Sequence, residues 1–188
     1  MHRLPNLLSA SRIVSTPLLL ALAWQGAAMA FLLGFALALL SDVLDGMLAR
    51  FLHVESEFGA RLDQWADFAL WLSFPLAAWW LWPQILLREA PYVGLAIACL
   101  LGPTAIAWLK YREVPGYHTW TAKTSAVLMG IAVPTLVVFD FTWPFRGATI
   151  LLMVAAVDEL GITLVLPSCQ HDVPSLWHAF ERRRAQSL

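Results

Sequence analysis

Apolar residues along the chain come in long blocks rather than in alternation, and each block is closed by a residue that breaks helices. Gly26, Pro83, Pro91, Pro115, Gly116 and Pro144 mark the breaks. Between them lie six stretches, approximately 7–25, 27–50, 58–82, 91–111, 120–140 and 145–166. A helix needs about 20 mostly apolar residues to cross a bilayer core of roughly 30 Å. Each stretch meets that length, so the pattern predicts an all-α integral membrane protein built as a six-transmembrane-helix bundle.

Two flanking segments differ from this pattern. Residues 4–12 mix Asn6, Ser9, Ser11 and Arg12 into leucines and read as a short N-terminal interfacial helix. Residues 169–188 are polar, with Leu176, Trp177 and Phe180 at helical spacing beside Arg182, Arg183 and Arg184. This tail reads either as a surface helix or as a frayed basic end that sets topology. The expected organisation is a membrane catalytic domain over 1–168 and a basic cytoplasmic tail over 169–188.

Composition agrees with a membrane setting: 60% of the 188 residues are hydrophobic, 13% are charged, and there are ten Trp. Trp gathers at bilayer interfaces. The net charge of -1 conceals an asymmetry. With both termini on one side, that side holds Arg3, Arg12, Arg50, Arg61, Lys110, Arg112, Lys123 and the three tail arginines, against Arg88 and Arg146 opposite. The positive-inside rule then makes the basic side cytoplasmic and the span number even. A four-span arrangement with a buried hairpin has the same sign. The first twelve residues superficially resemble a secretory signal, but apolar segments continue almost to the end of the chain. Cys99 and Cys169 supply neither a disulfide framework nor a zinc spacing, and His2, His53, His171 and His178 have no ligand spacing.

The chemistry is concentrated in residues 41–67. Asp42 and Asp45 are three positions apart and Asp63 and Asp67 four apart, so each pair shares one face of its helix. A short connection makes the two helices an antiparallel hairpin and brings four carboxylates together. An ionisable residue in a spanning helix costs about 2.5–3.5 kcal/mol on insertion scales, so such a cluster calls for a function. Mutual repulsion would force some carboxylates to take up protons unless cations neutralised them. All-oxygen ligands favour Mg2+ or Mn2+, and two ions can clamp the attacking and leaving oxygens of a displacement. Gly46, Ala49 and Gly59 leave the helix surfaces bare beside these charges, for close helix packing or for a ligand groove. Arg50, and with it Arg61, suits a phosphate or a carboxylate.

The pattern Asp42-x-x-Asp45-Gly46-x-x-Ala49-Arg50, followed after eight residues by Gly59-x-x-x-Asp63-x-x-x-Asp67, closely resembles the signature of the CDP-alcohol phosphotransferases, and every fixed position is filled. Pro5-Asn6-Leu7-Leu8 with Arg12 resembles that family as well. The resemblance implies a six-helix core, usually dimeric, in which a CDP-linked lipid donor binds two Mg2+ or Mn2+ ions at the cytoplasmic side. It implies Asp42, Asp45 and Asp63 as metal ligands and Asp67 as a metal ligand or the general base. Asp42, Gly46, Ala49, Arg50, Gly59 and Asp63 would border the cytidine and pyrophosphate, with Asn6 a further donor contact.

The implied reaction moves a phosphatidyl group from CDP-diacylglycerol to a small polar alcohol, with CMP released. Glycerol 3-phosphate is the first expectation for the acceptor; inositol phosphate, serine, choline and ethanolamine types stay open. Arg112, His118 and Lys123 are the expected acceptor contacts, the positive-inside rule being the competing account of Arg112. Asp158 and Glu159 border the acceptor pocket or, ahead of that, hold a structural contact with Lys123 or Arg112. A cation transporter using the aspartates is the rival class. It lacks support from any repeat between 1–90 and 91–166, and the acidic residues sit at one end of the membrane rather than at its middle. No nucleic-acid partner is expected.

Overall fold

The computed structural model describes the backbone of residues 3–52, 57–117 and 119–186, and the side chains of residues 12–41, 59, 65–117 and 119–185. Among these residues the chain is helix and connecting loop, without strand. It divides into two compact units, 1–88 and 89–188.

The first unit holds α1 (Arg3–Trp24), α2 (Ala28–Leu52), α3 (Glu57–Leu81) and the short α4 (Pro83–Arg88). α1 is one unbroken helix, so the expected separate N-terminal interfacial helix is absent among the described residues. Pro5 falls in its first turn, where a missing N–H costs nothing, and Ser9 and Ser11 do not break a helix. Gly26 closes α1 with φ of 78° and turns the chain into α2.

α1 packs against both α2 and α3. Arg12 meets Asp67, 55 positions on, and Trp24 meets Trp80 edge-on at 5.1 Å, so α1 and α3 run parallel. α2 runs antiparallel to both. Its Phe35 ring meets Trp71 and Phe74 of α3, and Phe31 meets Phe74 and Trp82. Phe31, Phe35 and Leu70 are fully buried in this end of the unit.

The second unit holds α5 (Ala90–Tyr111), α6 (Trp120–Phe139), α7 (Thr142–Val165) and α8 (Leu176–Gln186). α5, α6 and α8 all pack on α7. α5, α6 and α7 are each long and apolar enough to cross a membrane. In α1 and α2 the apolar described portions are shorter, Arg12–Trp24 and Ala28–Ser41. Outward-facing Leu109, Ile131, Val157 and Leu164 are more than half exposed, as a lipid solvent permits.

Pro17, Pro75, Pro103 and Pro134 sit inside helices. Beside each, a hydroxyl from Thr16, Ser73, Thr104 or Thr135 donates to a carbonyl of the preceding turn. Each hydroxyl thereby bonds back to a carbonyl three or four residues earlier, which satisfies its own polarity within the helix.

Both ends of the second unit are pinned by charge. At one end Arg146 donates from Nε and Nη2 to the two carboxylate oxygens of Glu89, at 2.9 and 3.0 Å. Glu89 is fully buried, and the Arg146 guanidinium lies over Tyr92 and Trp143. At the other end Lys110 Nζ donates to the carbonyls of Thr163 and Leu166, at 2.6 and 2.7 Å, and the Tyr111 hydroxyl reaches the same two oxygens. These donors satisfy the C-terminal carbonyls that α7 leaves open.

The segment after α7 folds back as structure. Val173, Ala179 and Leu176 pack with Tyr117, Ile162 and Leu166. Asp158 Oδ1 accepts from the Leu176 N–H at 2.9 Å, capping α8, while its Oδ2 accepts from the Thr121 hydroxyl at 3.2 Å. Asp158 thus has the structural role expected of it, with Thr121 and Leu176 as partners in place of Lys123 or Arg112. The carbonyl of Gly116 accepts from Asp172 N–H at 2.9 Å, and that of Pro174 from Trp120 N–H at 3.2 Å, joining the α5–α6 loop to the tail. Burial raises the Tyr117 hydroxyl well above the usual phenol range, and it bonds to the Thr163 hydroxyl at 2.9 Å.

Candidate active site

The site is built on the first unit. α2 carries Asp42, Asp45, Gly46, Ala49 and Arg50 in its second half, and α3 carries Gly59, Asp63 and Asp67 in its first half. Only residues 53–56 separate the helices, so these backbone positions share one end of the unit. Register sharpens the placement. Leu19 of α1 lies against Gly34 of α2 and Arg12 is level with Asp67 of α3. Carried along helices that rise about 1.5 Å per residue, position 42 is level with about residue 66 and position 45 with about residue 63. The two acidic pairs therefore sit at matching depths along their helices.

The side chains of Asn6, Asp42, Asp45, Gly46, Ala49, Arg50, Arg61 and Asp63 lie outside the described residues. Among the described residues no group of three or more His, Cys, Asp or Glu side chains is placed to hold a metal ion. Gly59 lies in the first turn of α3 and is partly exposed.

Asp67 lies one turn beyond Asp63 on α3. Its Oδ1 accepts a charge-assisted bond from Arg12 Nη1 at 2.6 Å, with the arginine side chain 1% exposed and the aspartate 39%. Arg12, which the sequence tied to topology and to the family-like opening segment without a role, is thereby a candidate site residue. The available signal was a guanidinium inside an apolar helix, which must find an anionic partner. Arg12 is also fixed along α1, because its carbonyl accepts from the hydroxyls of Ser15 and Thr16.

A groove of about 380 Å³ opens beside this ion pair, between α1 and α2. Arg12, Ser15 and Ser41 line one end, and leucines with Gly34 and Ala38 line the rest.

Of the expected acceptor residues, Arg112 and Lys123 lie in the second unit and are exposed. Arg112 ends α5 with φ of 60° and places its guanidinium 5.2 Å from the Trp108 ring centre. Lys123 lies in the first turn of α6, with its ammonium 5.6 Å from the Trp120 ring centre. His118 lies outside the described residues. Thr119, fully buried, caps α6 by accepting from Ala122 N–H at 3.1 Å.

The three membrane-length apolar helices α5, α6 and α7 mark this chain as an integral membrane protein. The family model for CDP-alcohol phosphatidyltransferase matches residues 2–164, and the chain belongs to that family. It is a transferase of phospholipid synthesis, with a CDP-linked lipid donor and an alcohol acceptor. Two relatives, from two strains of Mycobacterium tuberculosis, each bear the description "Probable phosphatidylglycerophosphate synthase". Each is 30% identical over 173 residues, covering 85% of this chain and 77% of the relative. No solved structure matches.

Proposed function

We propose that the protein transfers a phosphatidyl group from CDP-diacylglycerol to glycerol 3-phosphate, releasing CMP and forming phosphatidylglycerophosphate. Family membership supports the donor, and the printed description of the relatives supports the acceptor. The observation that carries the site is Arg12 holding Asp67 at the end of the unit where α2 and α3 bring their aspartate positions level.

In the reaction the acceptor hydroxyl oxygen forms a bond to the phosphorus that bears the lipid. The bond from that phosphorus to the bridging oxygen breaks, and CMP leaves with the electron pair. The hydroxyl proton passes to a carboxylate, for which Asp67 is the candidate. General-base help of this kind is typically worth about 10²- to 10⁴-fold. Arg12 fixes where that carboxylate stands. Gly46, Ala49 and Gly59 leave space for the nucleotide and diphosphate along the helix surfaces, with Arg50 and Asn6 as polar contacts.

Asp42, Asp45, Asp63 and Asp67 form an all-oxygen donor set suited to two Mg2+ or Mn2+ ions, which would offset charge on the diphosphate. The partly exposed Asp67 carboxylate beside matching helix depths is compatible with that group. Arg112, His118 and Lys123 are proposed contacts for the acceptor phosphate. The positive-inside rule places the basic ends of the helices in the cytoplasm of a bacterial inner membrane, with α1, α2 and α3 joining α5, α6 and α7 as six spans. A homodimer is the proposed assembly.

The test is CMP release by purified protein in lipid nanodiscs supplied with CDP-diacylglycerol, Mg2+ and a panel of acceptors. Release with glycerol 3-phosphate alone is expected, abolished by chelation and restored by Mg2+ or Mn2+. Release with a different alcohol would replace the acceptor, and cation flux across liposomes without any CMP release would point to transport instead.

A further inference from the structure

The corner between α7 and α8 has a depth that the span itself fixes. α7 runs over 24 residues, which at about 1.5 Å per residue is about 36 Å. A hydrocarbon core is roughly 30 Å thick, so the closing turns of α7 stand where acyl chains give way to head groups. α8 starts beside those turns. Leu176 lies against Gly161 and is capped by Asp158, while Arg183 Nη1 donates to the carbonyl of Val165, the last residue of α7, at 3.2 Å. α8 therefore rises outward, from Leu176 and Trp177 at its deeper end to Arg183 and Arg184 at its shallower one.

Its sides differ. Ala179 is fully buried with Ile162 and Leu166 of the α7 end. Trp177, Phe180 and Arg184, at offsets of three and four, share a side turned away from it, and the two rings are 70% and 46% exposed. The neighbouring helix ends extend the same layer. Trp108 in the last turn of α5 and Trp120 at the start of α6 are also exposed, and Trp120 N–H donates to the Pro174 carbonyl just before α8. Arg112 stands over the first ring and Lys123 over the second. Indoles gather at head-group depth.

We infer that α8 lies in the membrane surface at this end of α7, with Trp177 and Phe180 between head groups and acyl chains and Arg183 and Arg184 on the phosphates of anionic lipids. The inference rests on α5, α6 and α7 crossing a bilayer and not on the transfer reaction. Arg182 serves the tail itself, its Nη2 donating to the Asp172 carbonyl at 2.9 Å. Glu113, Asp172 and Glu181 are exposed at this end, and Glu181 accepts from Trp177 Nε1 at 2.9 Å. Exposed Lys110, Arg112, Lys123, Arg183 and Arg184 outnumber them. That surplus favours an anionic lipid surface over a second copy of the chain, which would set two basic ends against each other.

The test uses full-length protein with Cys99→Ala and Cys169→Ser, carrying a nitroxide at Phe180→Cys or at Ala185→Cys. Nanodiscs are made of phosphatidylcholine alone or of an equal mixture with phosphatidylglycerol. Collision with oxygen and with a neutral, water-soluble nickel chelate reads the depth of each label. In the anionic discs oxygen should prevail several-fold at Phe180, and the chelate at Ala185.

Amide exchange across residues 176–186 of the unlabelled wild type should be several-fold slower in the anionic discs. Each arginine near an anionic surface is worth about a fivefold shift in the seated population, so Arg183→Gln with Arg184→Gln, or raised salt, should return exchange to the phosphatidylcholine level. Equal wild-type exchange in the two discs, or a Phe180 label as open to the chelate as the Ala185 label, overturns the inference. So does spin–spin broadening at Phe180 that dilution with unlabelled protein removes, because it gives this face to a second copy.

Discussion

Removing Arg12 or Asp67 should have unequal effects, because the two partners are unequally buried. Arg12→Met leaves a carboxylate that is 39% exposed and can recover water. Asp67→Ala leaves a guanidinium whose side chain is 1% exposed, without the 2.6 Å carboxylate contact. Breaking a fully buried pair costs about 3–5 kcal/mol and losing a bond to a charged group about 1.5–3 kcal/mol. Discounted for the solvent at Asp67, Arg12→Met should cost about 1–2 kcal/mol and Asp67→Ala about 3 kcal/mol. Chemical unfolding in detergent micelles measures the difference.

Activity should rank the two residues in the same order as folding, with different magnitudes. If Arg12 only positions Asp67, its loss should lower kcat about 10- to 100-fold, as for partners that orient a ligand. Loss of the carboxylate itself should cost at least about 10²-fold, and Asp67→Asn should behave similarly in CMP release. Arg12→Lys should recover part of the rate, since an ammonium supplies the charge without the fork. Equal destabilisation by the two removals, or a wild-type rate in Arg12→Met, would refute the reasoning that this ion pair organises the site.

Three other outcomes follow from the second unit. Arg146→Met should destabilise the protein by about 2–4 kcal/mol, because Glu89 is fully buried, and replacing both partners together should restore much of the loss; double-mutant thermal melts check this. Asp158→Ala removes the acceptor for Leu176 N–H and should cost about 1 kcal/mol, read as faster tryptic cleavage at Arg182, Arg183 and Arg184 without a change in the melting of the spans. Lys110→Met removes the donor shared by the Thr163 and Leu166 carbonyls and should cost about 1–2 kcal/mol; unchanged amide exchange in the last turn of α7 would refute the capping role.

Much of the fold was legible because its cause is local. A bilayer-length apolar run closed by Gly or Pro specifies a helix with little help from its neighbours, so 7–25, 27–50 and 58–82 anticipate α1, α2 and α3 closely. The acidic spacings were legible for the same reason: offsets of three and four along a helix fix a shared face without reference to anything else. The tail was harder. Leu176, Trp177 and Phe180 hinted at a helix, but the cap comes from Asp158, eighteen positions earlier.

By itself the sequence determined an all-helical chain, the faces of α2 and α3 that carry aspartates, and a family signature that spacing alone can express. Tertiary structure decided which partner each of these charges received: buried Arg12 went to Asp67, Arg146 to buried Glu89, and exposed Lys110 to the end of α7. It also decided the groove between α1 and α2, since Gly34 and Leu19 meet only when two helices close on each other. The physical reason is range. Helix formation depends on bonds between residues four apart, whereas the partner of a buried charge is chosen by packing between positions more than fifty apart.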